Sequence, residues 1–174
     1  MGITVEKMRN EDWEAVRAIY CEGIATGNAT FEADAPEWEE WNGSHLRDCR
    51  LVAREEHRVV GWAALSPVSS RCVHSGVAEV SIYVTVSARG RGVGKALLQE
   101  LVEESERVSI WTLQASVFPD NEASIALHKA CGFREVGYRE RIGQQDGIWR
   151  DTVLMERRSK VVGRQGVIAE EATG

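Results

Sequence analysis

"SIYVTVSARGRGVGKALLQELVEES", residues 81–105, decides how the rest of the chain is read. Apolar residues alternate as they do along a strand. Glycines follow at positions 90, 92 and 94, and an amphipathic helix then runs to about residue 107. A strand that hands over to a helix through three glycines has a use for bare backbone. Glycine tolerates positive φ and carries no Cβ, so successive N–H groups can point into one concavity. The helix that follows adds unpaired N–H donors and the positive end of its dipole. Arg89 and Arg91 add charge, and a phosphate or pyrophosphate is the natural guest. A tight turn with solvated arginines is the plainer alternative, because a single glycine-rich turn is a weak signal.

Two familiar phosphate patterns do not fit. The P-loop spacing fails between Gly90 and Lys95, and Ala96 stands where a hydroxyl residue is required. The dinucleotide fingerprint fails because residue 95 is lysine.

Outward from the turn, patterning gives an element order. Strands are expected over 3–8, 50–55, 58–66, 77–86, 111–117, 134–142 and 148–157. The strands at 50–55 and 58–66 are joined so tightly at Glu56-His57 that they read as an antiparallel hairpin. Helices are expected from Glu11, capped by Asn10, over 36–48, after the glycine turn, and over 121–131 with Gly132 at its C-terminal end. Residues 23–36 read as a loop, in which Gly23, Gly27 and Asn28 break the first helix. The result is a mixed α/β (α+β) pattern, a central sheet of about seven strands flanked by helices. Residues 1–159 form one domain, and a weakly ordered tail follows from 160 to 174.

Composition narrows the function classes. The chain has 174 residues, net charge −6 and 43% hydrophobic residues, enough for a proper core. An acidic balance argues against a general nucleic-acid binder. No apolar run nears the ~18 residues of a membrane span. The charged N-terminus has no signal-peptide core, so a cytoplasmic location is expected. Cys21, Cys49, Cys72 and Cys131 are scattered, which favours reduced thiols over disulfides or a metal site. Six tryptophans hint at aromatic-lined pockets, although Trp62 and Trp111 read as core.

The R-x-x-G-x-G pattern at Arg89, Gly92 and Gly94 resembles the acyl-CoA pyrophosphate loop of the GCN5-related N-acetyltransferase superfamily. So does the element order across residues 3–157. Downstream, NEASIALHKACGF (121–133) resembles the N-x-x-(A/S)-x-x-L-(Y/H)-x-x-x-G-F segment of that superfamily. GNATFE (27–32), WAALSPV (62–68), AEVSIYV (78–84) and GIWRD (147–151) resemble the phosphinothricin and methionine sulfoximine N-acetyltransferases, as does His128 in place of the commoner tyrosine. The resemblance implies acetyl-CoA as donor, a small amino-acid-like amine as acceptor, no metal, and a homodimer. Transfer to a protein or peptide amine, and a non-catalytic acyl-CoA sensor, are the alternatives.

Acetyl transfer to an amine needs a neutral amine, a polarised thioester carbonyl and a proton or positive partner for the leaving thiolate. The α-ammonium is mostly protonated at neutral pH, so a base is expected. Alternation in VAEVSIYV sets Glu79 opposite the aliphatic row Ala78, Val80, Ile82 and Val84. By position alone Glu79 is a solvated charge; the resemblance makes it the base. His128 by position alone packs beside the core; the resemblance sets it near the cofactor sulfur, as donor of a proton or hydrogen bond. The resemblance also gives Asn121, with Ser124 beside it, to the pantetheine arm, although Asn121 reads equally as a helix cap. Amides of Ile82, Tyr83 and Val84 pair with that arm like an added strand. Gly90, Gly92, Val93, Gly94 and Lys95 hold the pyrophosphate with Arg89 and Arg91. For the acceptor, Phe31, Glu32, Val77 and Trp149 are candidate walls. Arg71 or His74 is the candidate partner for a substrate carboxylate.

Overall fold

The computed structural model describes residues 2–163. Seven strands form one sheet in the order β1-β2-β3-β4-β5-β7-β6. They are β1 (Ile3–Lys7), β2 (Leu51–Glu55), β3 (Arg58–Pro67), β4 (Val77–Val84), β5 (Thr112–Val117), β6 (Arg134–Gln145) and β7 (Ile148–Arg158). Four helices accompany them: α1 (Trp13–Ala25), α2 (Trp38–Ser44), α3 (Val93–Arg107) and α4 (Glu122–Ala130). Every pairing is antiparallel except β4 with β5. No described helix is long and apolar enough to cross a membrane.

The sheet is covered on both faces, and the period of two divides its residues between them. Leu51, Ala53, Ala63 and Leu65 join Leu97, Leu98 and Leu101 of α3 in one core. Val52, Trp62 and Ala64 join Val16, Ile19 and Trp41 of α1 and α2 in the other. Trp13, Trp38, Trp41 and Trp62 pack there ring against ring, with centroids 5.4 to 6.0 Å apart. Four of the six tryptophans therefore build a core rather than a pocket wall. Trp111, expected in the core, is 37% exposed. Gly76 and Gly163 lie so close to its ring that an added Cβ on either would sit 2.2–2.3 Å from it.

Several boundaries differ from the sequence expectation. Asn10 opens a short 3-10 turn, Asn10–Asp12, before α1, and the Asp12 carboxylate accepts from the Arg9 amide at 2.8 Å. Gly23 does not break α1, which continues to Ala25. A Cβ there would meet the Tyr83 ring at 2.5 Å, so this glycine lets a strand side chain press against the helix. β4 ends at Val84, two residues early, because Val86–Ala88 form a 3-10 turn. β6 runs further than expected, to Gln145, past a bulge at 140–142. That bulge folds around Asp151, which accepts from the Arg141 amide and the Tyr138 hydroxyl, both at 2.7 Å. Residues 160–163 bend back, and the amides of Val161 and Val162 donate to Ser159 Oγ. The rest of the expected tail, 164–174, lies outside the described residues.

Candidate active site

The site begins where two strands part. β4 and β5 pair over only Val77↔Thr112, Ala78↔Leu113 and Glu79↔Gln114. β4 continues to Val84 and β5 to Val117, so their facing edges diverge beyond Glu79. On its other side β4 stays paired with β3 as far as Val84. One edge of Val80–Val84 is thus left without a strand, and polar backbone there needs a partner. Two connected cavities, about 710 and 540 Å³, occupy the gap and share Ala29, Ile82, Tyr83, Asn121 and Ser124.

The smaller cavity ends at the glycine turn. Gly90 and Gly92 have φ of +72° and +83°, and an added Cβ on either would meet nothing within 4 Å. Both line the smaller cavity and leave open space beside their backbone. Gly92 is the N-cap of α3, and the first helical bond runs from the Ala96 amide to the Gly92 carbonyl. The amides of Val93, Gly94 and Lys95 are left for a guest. Gly94 packs differently, with Leu127 3.2 Å from where its Cβ would be, which holds α4 against the start of α3. Arg89 lines this cavity and donates through Nε to the Val84 carbonyl at 3.1 Å. Arg91 does not line it: its guanidinium is paired with Glu55 of β2. Lys95 lines it and is exposed. The bare β4 edge, the glycine concavity and the basic pair Arg89 and Lys95 together fit a pantetheine pyrophosphate.

The larger cavity holds the ionisable groups. Glu79 lines it, and its Oε2 accepts from Gln114 Nε2 at 3.1 Å across the last rung of the parallel pair. One carboxylate oxygen is therefore oriented by Gln114. His128 is 2% exposed, and its ring edge meets Phe133 at 5.0 Å. Its Nδ1 lies 2.7 Å from the Ser124 carbonyl. A carbonyl only accepts, so Nδ1 carries the proton and Nε2 presents a lone pair. Burial pushes the imidazole below its ordinary range, against the effect of that bond. Nε2 has no hydrogen-bond partner among the described residues. In this resting state Nε2 is free to accept, and His128 could donate from that atom only after taking up a proton. Asn121 caps α4, its Oδ1 accepting from the Ser124 amide at 3.1 Å, while its Nδ2 donates to the Asn28 carbonyl.

The roof is the segment 26–37, and it is tied down from far away in sequence. Arg150 of β7 donates to Gly27 O at 2.9 Å and Asn28 Oδ1 at 3.1 Å, and its guanidinium lies 4.0 Å over the Phe118 ring. Gln145 Nε2 donates to the Thr30 carbonyl at 3.0 Å. Phe31 stands edge-on to Phe118 at 4.8 Å and is pressed against Gly143, where a Cβ would meet it at 2.7 Å. Phe31 and Glu32 line the cavity as expected positions. Arg71, His74, Val77 and Trp149 lie outside its lining: Arg71, His74 and Trp149 are exposed and Val77 sits at the head of β4. Arg150 escaped the sequence reading, although its segment, GIWRD, was noticed for its resemblance alone.

A cleft between parting parallel strands, with a glycine turn at one end and Glu79 and His128 in the lining at the other, fits one class: enzymes that pass an acyl group from coenzyme A to an amine. Residues 6–133 match the acetyltransferase (GNAT) family, and the chain belongs to it. It is an acetyl-CoA-dependent N-acetyltransferase. It is 35% identical over 160 residues to a phosphinothricin N-acetyltransferase of Alcaligenes faecalis, covering 88% of this chain and 81% of the relative. It is 29% identical over 162 residues to an L-methionine sulfoximine/L-methionine sulfone acetyltransferase of Pseudomonas aeruginosa, covering 90% and 94%. Its fold matches a phosphinothricin acetyltransferase of Sinorhizobium meliloti solved with AcCoA, with TM-score 0.83 and 31% identity over 95% of this chain and 93% of that one.

Proposed function

We propose that the single domain 1–159 acetylates the primary amine of a small, amino-acid-like compound by direct attack with both substrates in the cleft. The observation that carries this reading is the opening of β4 from β5 immediately after Glu79↔Gln114. Glu79, the unpaired strand edge and the glycine turn lie along the two adjoining cavities of that gap, which supports this reading. Acetyl-CoA supplies an activated acetyl group and a thiolate leaving group. A C–N bond forms, the C–S bond breaks, the amine gives up a proton and the sulfur receives one. Glu79, steadied by Gln114, takes the ammonium proton directly or through water. An amide of Ile82–Val84 polarises the carbonyl oxygen. The neutral His128 receives a proton at Nε2 and can return it toward the sulfur. The turn holds the pyrophosphate through Gly90–Lys95 with Arg89.

Acceptors of the phosphinothricin, methionine sulfoximine and methionine sulfone type are the first to test, because the two relatives above are named for them. Thiol release from acetyl-CoA over these compounds, common amino acids and short peptides is the experiment. Saturable turnover on the small amines is expected. Turnover on peptides alone would overturn the small acceptor, and binding without turnover would leave a sensor.

We place the enzyme in the cytoplasm, where its four free cysteines stay reduced. We also propose a homodimer, formed through the β6–β7 hairpin. Tyr138, Ile142, Ile148 and Trp149 there are each more than half exposed, more apolar surface than a hairpin shows to water without use. A monomer mass by light scattering at micromolar concentration would sink that assignment.

A further inference from the structure

The two ends of the cleft carry opposite charge. Arg89, Lys95 and the N-terminus of α3 stand at the turn. The larger cavity is lined by Glu32, Asp34, Glu37, Glu40 and Glu79, and by no lysine or arginine. Only Glu37 among these five has a cationic partner among the described residues, Arg17 at 3.1 Å, and Arg17 does not line the cavity. Two histidines, His45 and His128, and two tyrosines, Tyr20 and Tyr83, whose burial keeps them neutral, complete the ionisable lining. Burial pushes both histidines below the ordinary imidazole range, and His45 is further lowered by Arg50. Neither supplies positive charge near neutral pH. Independently of the carboxylates, two polar atoms on the wall lack partners among the described residues: His128 Nε2 and Thr152 Oγ1, each on a residue only 2% exposed. A buried acceptor of this kind is costly unless a ligand satisfies it. Nε2 can only accept, so it calls for a donor.

We infer that the acceptor is a basic amine: a compact compound whose group remote from the reacting nitrogen is cationic and which carries no net negative charge. This rests on the acetyltransferase reading of the same cleft and narrows it: among the acceptors named above, phosphinothricin, with its anionic phosphinate, is then the poorest. An anionic remote group, such as a phosphinate or a second carboxylate, would enter against four mouth carboxylates with no cation in the lining to receive it. A cation is drawn in by the same field. Glu32, Asp34, Glu37 and Glu40 are exposed, so their effect is mainly on encounter and weakens with salt.

The test uses two series matched in size and differing in remote charge. One is 1,4-diaminobutane, 4-aminobutan-1-ol and 4-aminobutanoate; the other is ornithine, glutamine and glutamate. Steady-state acetylation is followed by thiol release at low and high sodium chloride. In either series that turns over, kcat/KM for the cation should exceed that for the anion by about tenfold or more at low salt. The gap should shrink as salt rises. The triple variant Glu32→Gln, Asp34→Asn, Glu40→Gln should narrow the cation-to-anion ratio further. An anion that reacts as well as the cation overturns the inference, as does a triple variant that keeps the original ratio. Failure of the broader reading looks different: no transfer to any amine of any charge, or no acetyl-CoA binding by calorimetry.

Discussion

The imidazole of His128 donates to the carbonyl of Ser124 at 2.7 Å, one turn earlier on α4, and this single bond leaves the other ring nitrogen as a buried, unpartnered acceptor. A histidine buried neutral has a consequence for stability. Its folded pKa lies below the unfolded value near 6.5, so the unfolded chain binds the proton more readily. The stabilisation is complete above about pH 6.5 and is lost as pH falls from there through the folded value. His128→Asn should therefore show a smaller fall in Tm between pH 7 and pH 5 than the parent protein. Equal falls in the two would mean that the His128 imidazole titrates alike in the folded and unfolded chain.

Removing the base should cost far more than removing a contact. Glu79→Gln keeps the Gln114 neighbourhood polar and is expected to lower kcat/KM by ~10²-fold or more at neutral pH. Acetyl-CoA affinity should hold. Activity within a few-fold of the parent would show that water alone takes the amine proton.

Gly92 sits at φ +83°, at the mouth of the concavity. Gly92→Val would strain the backbone by about 1–3 kcal/mol and fill the space where a phosphate oxygen belongs. Acetyl-CoA binding should be abolished in calorimetry. Unchanged affinity in a folded variant would remove the phosphate from this turn.

The two arginines of the turn should separate cleanly. Arg89 lines the cavity, whereas Arg91 is spent on Glu55. Arg89→Ala is expected to weaken acetyl-CoA binding severalfold, the scale of one charge-assisted contact. Arg91→Ala should leave it near the parent value, since an exposed ion pair contributes little. The opposite ranking would show that Arg91 swings inward.

Arg150 acts through the roof rather than on a substrate. Arg150→Lys keeps the charge but loses the fork that spans Gly27 and Asn28. The expected result is faster amide exchange in residues 27–31 and an acceptor KM raised about tenfold, the cost of roughly 1.4 kcal/mol of ordering. Acetyl-CoA affinity should be unchanged. A lower kcat with unaltered KM and exchange would make Arg150 a participant in the chemistry instead.

Much of this was legible before the structure. The alternation around Glu79 and the spacing from Arg89 to Gly94 carried the strand, the turn and the helix, because each is a local property of its own residues. What escaped was non-local. Gly23 reads as a helix breaker until Tyr83 is seen lying on it. Arg91 reads as a phosphate ligand until Glu55 arrives from β2. Arg71 and His74 read as cations near the site, yet their loop leaves them outside the lining. Arg150 meets Gly27 across 123 positions of sequence, a pairing that no period or spacing announces.

The short parallel junction also divides labour between two wings. Everything up to Val84 hangs on one side of three rungs, and β5, β7 and β6 hang on the other. The phosphate turn follows directly from the first wing. The acceptor chamber is closed by contacts that cross between the two, through Arg150, Gln145 and Asn121. The hairpin tip at that crossing, around Gln145, stands away from the glycine turn, whereas Asn28 borders the donor end and Asn121 borders both cavities. One scaffold can thus be refitted for a new amine by rewriting a few residues at that tip.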